Sequence, residues 1–186
     1  DTAAALAPSR MALVDVPVLA VQNGLDAHGR VARILGHDRV AAGLATWAAN
    51  ALEPGVVRIT AGGETIVGGA EGERFAALLG GAMGSVRRTA SIEGAQWAKL
   101  CLNAVNAVPA AVGWSMQEVA AEEALLRVTA AAMREAALAA LASGVAIERV
   151  GVIDPGTIRT LAASIESAQS VPRRMAASFG EVPNLG

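Results

Sequence analysis

Apolar positions in the first half of this 186-residue chain fall into short runs that alternate with segments of helical periodicity. Residues 25–35 carry apolar side chains at helical spacing, and Gly62 and Gly63 form a two-residue turn signal between two strand-like runs. The pattern predicts strands at 17–21, 39–49, 56–61 and 64–68, and helices at 1–7, 25–35 and 71–83. This alternation, with a hairpin at the paired glycines, is typical of the second half of an α/β sheet domain.

The second half of the chain has a different pattern, because no convincing strand follows Ile92. A helix that contains Lys99 is expected to run to Pro109 or slightly beyond it. We therefore predict an α/β half followed by an all-α half, with the boundary near residue 90. Small-molecule sites form preferentially at such domain junctions, and Lys99 lies just past this one.

A long helix is predicted further along the all-α half. Ser115 opens it, Glu118 three residues later completes a capping-box pattern, and Gly144 closes it. Many alanines make this helix apolar on most sides, which is usual for the central helix of a bundle. A weaker helical region covers 155–177, with an interruption expected at Pro172.

One polar stripe marks the otherwise apolar helix around Lys99. Gln96, Lys99, Asn103 and Asn106 are spaced by three, four and three residues, which places them on one helix face. Burying an ammonium and three amides is costly unless they meet polar partners. We therefore interpret Lys99 as a proton donor that faces a ligand, with the amides beside it.

The choice of lysine supports that interpretation, since Lys99 is the single lysine among fifteen basic side chains. Arginine keeps its proton in proteins, whereas a partly desolvated lysine can release it. The alternative is a lysine whose stem lies on apolar surface while its ammonium reaches water. In that case the amides only cap or bridge the neighbouring backbone.

Composition and charge exclude several other classes of function. The chain is 53% hydrophobic and 17% charged with a net charge of −2, and its basic pairs Arg87–Arg88 and Arg173–Arg174 are too short for a nucleic-acid surface. Cys101 is the single cysteine, so neither an internal disulfide nor a zinc site is expected. No signal peptide is visible, and no apolar run is long enough to span a bilayer. We expect a cytoplasmic protein with no nucleic-acid or membrane partner and no metal.

Two further positions carry weaker signals. Gln22-Asn23-Gly24 ends a predicted sheet strand, and ligands of open α/β sheets bind at the carboxyl ends of strands. Asn23 can therefore contact a sugar hydroxyl or a carbonyl, although for the tripeptide alone a plain Asn-Gly turn is the better explanation. Glu135 in the long helix is either paired with an arginine or turned toward the ligand site, and pairing is the commoner fate of a buried carboxylate.

Taken together, these pieces resemble the ketopantoate reductase family. The resemblance extends over nearly the whole chain, in the same order and with similar spacing. It rests on four motifs, which are Gln22-Asn23-Gly24, Arg39-Val40-x-x-Gly43, Trp97-x-Lys99-Leu100-x-x-Asn103-Ala104, and Met133-x-Glu135 followed by Gly144. The third motif downstream of the first is more specific than either of them alone.

The resemblance implies an NADPH-dependent reduction of 2-dehydropantoate, a 2-keto acid, to pantoate. It implies the two-domain fold of the 6-phosphogluconate dehydrogenase type, in which 1–90 are the C-terminal part of a Rossmann-type NADP-binding domain. Residues 91–186 then form a helical domain for substrate binding and for dimerisation as a homodimer. In this family the residue matching Lys99 is the general acid. Asn23 would lie near the nicotinamide ribose, and Asn103 would contact substrate.

The chain also departs from the family pattern. Some relatives carry a further asparagine eight residues after the lysine, where this chain has Ala107, so we assign that substrate contact to Asn106 one residue earlier. The glycine-rich phosphate loop is not in the sequence, which we interpret as an interior fragment that lacks the C-terminal end as well. Two alternatives stay open. One is a related reductase of another 2-keto or hydroxy acid, and the other is a non-catalytic helical association module at 92–186.

Overall fold

The computed structural model describes residues 2–80 and 85–178 of the chain. The chain forms two compact units, Asp1–Gln96 and Trp97–Gly186. The division falls inside one helix, α4, which spans Ile92–Asn103. The assignment of residues 1–90 to cofactor binding and of residues 91–186 to substrate binding and dimerisation stays a prediction.

A four-stranded sheet forms the centre of the first unit. Its strands are β1 (Val18–Val21), β2 (Val40–Ala45), β5 (Thr65–Gly69) and β6 (Val86–Arg88), in the order β1-β2-β5-β6. β1 runs parallel to β2, β2 antiparallel to β5, and β5 parallel to β6, so the sheet is mixed. This unit also contains helices α1 (Thr2–Leu6), α2 (Ala27–Leu35) and α3 (Gly72–Gly80).

Helix α2 supplies the apolar layer against β1 and β2. Val31 and Leu35 of α2 are buried in one cluster with Ala20 of β1 and Val40 of β2. Gly43 lies opposite Val21 across the strand pair, and a Cβ there would come within 3.0 Å of the Val21 side chain. The small residue at 43 therefore leaves room for the Val21 side chain, at the end of the strand that leads to Asn23.

The long strand predicted at 39–49 is wrong, because the chain turns at Thr46 and Trp47 and continues as a separate strand, β3 (Ala48–Glu53). The Thr46 hydroxyl accepts a hydrogen bond from the Glu64 backbone N–H at 2.8 Å, and the Trp47 indole donates to the Thr65 hydroxyl at 3.1 Å. These bonds fix the turn, and an apolar run rich in alanine gives no sign of them.

The predicted hairpin at Gly62–Gly63 is also wrong. β4 (Val56–Ala61) pairs with β3 in a separate two-stranded sheet, whereas β5 pairs with β2 and β6. The true hairpin turn is Pro54-Gly55, where Gly55 has φ +84°, a combination that favours a type II turn. Gly63 has another role, since a Cβ on it would lie 2.6 Å from the Thr46 carbonyl carbon.

The second unit is helical, as predicted, and in its described residues, 97–178, the only β contact is an isolated bridge between Val150 and Ile153. The Lys99 helix is not continuous to Pro109, because α4 ends at Asn103 and a 3₁₀ turn, Ala104–Asn106, follows. The remaining helices are α5 (Ala107–Val112), α6 (Met116–Ala121), α7 (Glu123–Ala142), α8 (Pro155–Ala163) and α9 (Ile165–Ser178).

The capping box at Ser115 is confirmed, with the Ser115 hydroxyl accepting from the Glu118 N–H and the Glu118 carboxylate accepting from the Ser115 N–H. The helix from Ser115 to Gly144 is nevertheless two helices, because Glu122 adopts an extended conformation, with ψ 112°, between α6 and α7. Gln169 donates to the Glu123 carboxylate at 3.0 Å and so holds the first turn of α7 by a tertiary contact. The sequence contains no glycine or proline at this break.

The predicted interruption at Pro172 is wrong as well, since Pro172 lies inside α9. The break falls at Ser164, whose hydroxyl accepts from the Ser167 N–H at 3.1 Å and caps the new helix. Helix α7 contacts both α8 and α9, and its fully buried side chains include Leu126 and Met133. The expected central position of this helix is therefore confirmed. In the described residues, no helix is both long and apolar enough to cross a membrane.

Candidate active site

The loop after β1 presents Asn23 at the carboxyl end of a parallel strand pair. Gln22 and Asn23 are exposed, and Gly24 follows with φ +90°, a backbone conformation that favours glycine. Helix α2 begins three residues later at Ala27. An exposed amide at this edge of the sheet offers both a donor and an acceptor to a polar ligand.

Gln96 has a structural role that its position in the polar stripe does not reveal. Its side chain is only 2% exposed, and its Oε1 accepts a hydrogen bond from the Asp26 backbone N–H at 3.4 Å. Asp26 itself has φ +54°, in the left-handed region that aspartate tolerates better than most residues with a side chain. Gln96 is therefore engaged within the first unit, whereas the other three residues of the stripe, Lys99, Asn103 and Asn106, belong to the second unit.

Lys99 is a half-buried ammonium in the last two turns of α4. Burial in apolar surroundings lowers the pKa of Lys99 below the ordinary lysine value, because desolvation penalises the charged form. Among the described residues no carboxylate forms an ion pair with it, although five other basic side chains do form such pairs. A partly desolvated ammonium with no counter-charge is suited to bind an anion or to give up its proton.

Asn103 and Asn106 lie on either side of the point where the helix changes its winding. Asn103 is the last residue of α4 and Asn106 the last of the 3₁₀ turn, and both are half-buried. Ala107, one residue further on, is exposed. The structure thus keeps Lys99 and the two amides in one continuous segment of the second unit, whereas Asn23 belongs to the first unit.

The other candidate groups do not add to this set. Glu135 is exposed on α7, so water can solvate its carboxylate and the cost of a buried charge is absent. Burial raises the pKa of the Cys101 thiol to about 11, which leaves it protonated and unreactive at neutral pH. No group of three or more histidine, cysteine, aspartate or glutamate side chains suited to a metal occurs in the part of the chain that the structure describes.

Comparison with known proteins places this arrangement in a family. The model described as "Ketopantoate reductase PanE/ApbA" matches residues 1–72, and that described as "Ketopantoate reductase PanE/ApbA C terminal" matches residues 91–177. The chain belongs to the ketopantoate reductase family. Lys99, Asn103 and Asn106 fall in the part matched by the C-terminal model of the ketopantoate reductases, and Asn23 falls in the part matched by the other.

Solved structures of ketopantoate reductases have the same fold. The chain is 26% identical to 2-dehydropantoate 2-reductase from Geobacter metallireducens, with a TM-score of 0.67, over 90% of this chain and 53% of that one. It is 25% identical to a PanE/ApbA family ketopantoate reductase from Ralstonia eutropha, with a TM-score of 0.70, over 97% of this chain and 66% of that one. The chain therefore spans between half and two thirds of the length of these relatives.

A third solved structure shares the fold alone. D-mandelate dehydrogenase, solved in complex with NADH, is 15% identical with a TM-score of 0.72, over 94% of this chain and 56% of that one. Curated proteins contain no match to the chain. The mixed sheet followed by helices is thus the family's Rossmann-like and helical architecture, as the sequence predicts.

Proposed function

We propose that this chain is part of an enzyme that reduces 2-dehydropantoate to pantoate with NADPH, and that Lys99 is its general acid. The observation that carries the proposal is the half-buried Lys99 ammonium, unpaired within the described residues and followed along its helix by two amides. The related structures are ketopantoate reductases, and their substrate indicates the substrate class, a 2-keto acid.

The reaction requires a hydride at the ketone carbon and a proton at the ketone oxygen. NADPH supplies the hydride when it is bound. As negative charge develops on the oxygen, the positive Lys99 Nζ stabilises it and then donates a proton to it. Desolvation makes that proton easier to release, because the neutral amine is the form that burial favours.

The amides hold the reactants without competing for the proton. Asn103 and Asn106 each offer an N–H₂ donor and a carbonyl acceptor, which suit the carboxylate, ketone and hydroxyl groups of the substrate. Asn23 fits the cofactor side, because its exposed amide lies at the carboxyl end of β1 and can hydrogen-bond to a ribose hydroxyl. Neutral amides also leave Lys99 as the single cation of the stripe.

A second candidate is the reduction of a different 2-keto acid by the same groups. The position of Asn106 favours it. Some relatives carry asparagine eight residues after the lysine, where this chain has the exposed Ala107, and Asn106 comes one residue earlier. A shifted amide changes which substituent of the keto acid is bound and leaves the proton donor unchanged. Turnover of a panel of 2-keto acids would separate the two candidates.

The first experiment follows NADPH absorbance with 2-dehydropantoate in the whole protein, including any sequence that flanks these 186 residues. Lys99→Ala should lower kcat by roughly 10²–10⁴-fold, the usual scale for general acid–base catalysis. Lys99→Arg should not restore the rate, since arginine keeps its proton. Arg159→Ala, which removes one exposed positive charge on α8, is the matched control and should turn over normally.

Thermal unfolding of the same variants tests the non-catalytic alternative. A module whose helices only pack together should lose stability when Lys99 is replaced, with no change in any NADPH-dependent rate. A catalyst should lose its rate while the fold and NADPH binding stay intact. Unchanged turnover in Lys99→Ala would therefore contradict the assignment of the acid.

A further inference from the structure

The segment that follows Lys99 changes from an α-helix to a 3₁₀ turn and back again. Asn103 and Asn106 have ψ values of −22° and −12°, and the Ala107 N–H bonds to the Ala104 carbonyl three residues earlier. These are the dihedral angles and the bond spacing of a 3₁₀ turn. By Ala107, with ψ −45°, the α-helical geometry has returned.

The 3₁₀ turn determines where Asn106 points relative to Asn103. Three residues of 3₁₀ helix make about one full turn, so Asn106 stacks directly above Asn103, whereas three residues of α-helix would leave it about 60° short. Four residues on, Ala107 is carried about 120° past Asn103 instead of about 40°. The burial agrees, since Asn106 is half-buried and Ala107 is exposed.

Pro109 explains why the helix changes its winding at this point. In an unbroken α-helix the nitrogen of residue 109 would bond to the carbonyl of Val105, but proline has no N–H and its ring collides with that carbonyl. Pro109 is buried as the third residue of α5, in a first turn whose N–H groups have no partner within the helix. A new helix that starts before Pro109 avoids this conflict, and the 3₁₀ turn is the connection.

We infer that Pro109 is a positioning residue for substrate binding, which it serves by enforcing the 3₁₀ turn that aligns Asn106 with Asn103. This inference rests on the proposed function, because it takes Asn106 as a substrate contact. Pro109 itself touches no reacting atom in this scheme. Because of the turn, position 106 and not position 107 is aligned with Asn103, and position 106 is where this chain has its second amide.

The test is a double-mutant cycle in the whole protein, with 2-dehydropantoate and NADPH as substrates. Asn106→Ala should raise the KM for the keto acid roughly threefold to tenfold, the scale of one lost hydrogen bond, with kcat nearly unchanged. Pro109→Ala restores the N–H and permits a continuous α-helix, so it should raise the same KM by a similar factor. In the Asn106→Ala background, Pro109→Ala should have no further effect.

Two controls separate positioning from a general effect on folding. Pro172→Ala removes another buried proline inside a helix of the same unit and should leave the KM unchanged. The melting temperature of each variant shows whether it is folded, and the Kd for NADPH should stay constant in all of them.

Each remaining outcome is decisive. No effect of Asn106→Ala on KM means that the substrate contact itself is wrong. A raised KM in Asn106→Ala but not in Pro109→Ala overturns the positioning role alone. An equal effect of Pro109→Ala in both backgrounds also overturns it, because Pro109 would then act by another route than Asn106.

Discussion

At the scale of single residues, Lys99 combines a charge with an environment that disfavours charge. Its helix is apolar, its ammonium is half-buried, and desolvation lowers its pKa below that of an ordinary lysine. An isolated structural lysine would relieve this cost by reaching water. For a proton donor the same desolvation is useful, because the ammonium releases its proton more easily to a negatively charged oxygen beside it.

The lowered pKa predicts a specific pH dependence. As pH rises through the pKa of Lys99, kcat should fall, because the general acid becomes deprotonated before an ordinary lysine would. The profile is measured by steady-state turnover at saturating keto acid and NADPH. Lys99→Ala should lose this limb while any other limb stays in place, and an identical alkaline limb in both proteins would exclude Lys99 as its origin.

The same shift affects stability with a definite sign. Lys99 has a lower pKa in the folded chain than in the unfolded chain, so between these two pKa values the unfolded state binds more protons. The contribution of Lys99 to the free energy of unfolding therefore rises with pH through that window. Urea unfolding at several alkaline pH values should show a smaller rise in Lys99→Ala than in the native protein.

Individual residues also show which parts of the candidate site can be predicted from the sequence. The stripe of Lys99, Asn103 and Asn106 is visible in the sequence because a helix repeats its faces every three to four residues. The role of Gln96 is not visible, because its partner, the Asp26 N–H, lies 70 residues away. The left-handed conformation of Asp26 likewise gives no sequence signal that points to that bond.

At the scale of elements, local signals predict best where the bonding is local. The Ser115 capping box and the Gly144 stop are each satisfied within a few residues, and both are confirmed. The break at Glu122 is accompanied by the tertiary bond from Gln169 to Glu123, and the break at Ser164 by a serine cap, and neither position carries a glycine or proline. Pro54-Gly55 forms the hairpin turn between β3 and β4, whereas the sequence pattern predicts a hairpin turn at Gly62–Gly63 instead.

Gly63 and Gly62 provide a matched test of this corrected sheet. A Cβ on Gly63 would lie 2.6 Å from the Thr46 carbonyl carbon and 2.7 Å from the Trp47 nitrogen, whereas a Cβ on Gly62 would meet nothing within 4 Å. Gly63→Ala should therefore destabilise the protein by about 1–3 kcal/mol, the scale of other overpacking substitutions. Gly62→Ala should stay within about 0.5 kcal/mol of the native protein.

Urea unfolding followed by far-UV circular dichroism measures both variants. If the two glycines instead formed a hairpin turn, both would lie in the same exposed loop and neither alanine would meet the Thr46–Trp47 backbone. Equal effects of the two substitutions would thus contradict the connection described here.

At the scale of the whole molecule, the sequence pattern predicts the division into a sheet-containing part and a helical part. The change from strand to helix patterns near Ile92 reflects a real change of architecture, since the described residues of the second unit form helices joined by loops, with one isolated β-bridge. The order of strands within the sheet is less predictable. The pairing of β5 with β2 and not with β4 depends on long-range contacts at Thr46 and Trp47.

The proposed role of Asn23 is best tested on the intact protein. NADPH that binds only the folded state raises the melting temperature, and the size of the rise follows its affinity. Asn23→Ala should reduce this rise, with roughly threefold to tenfold weaker binding for one lost hydrogen bond. Asn50→Ala, an exposed asparagine on β3, is the matched control and should give the native shift. An undiminished shift in Asn23→Ala would remove it from the cofactor side.

The presence of a single lysine has a practical consequence for labelling chemistry. Amine-reactive reagents are selective for the unprotonated form, which burial favours at Lys99, and no other side chain in these 186 residues carries a primary amine. Reductive alkylation would therefore add one mass increment per copy of this segment, apart from any α-amino group. Its rate would report on both the protonation and the accessibility of this one nitrogen, and protection by a bound keto acid could be observed by mass spectrometry without measuring turnover.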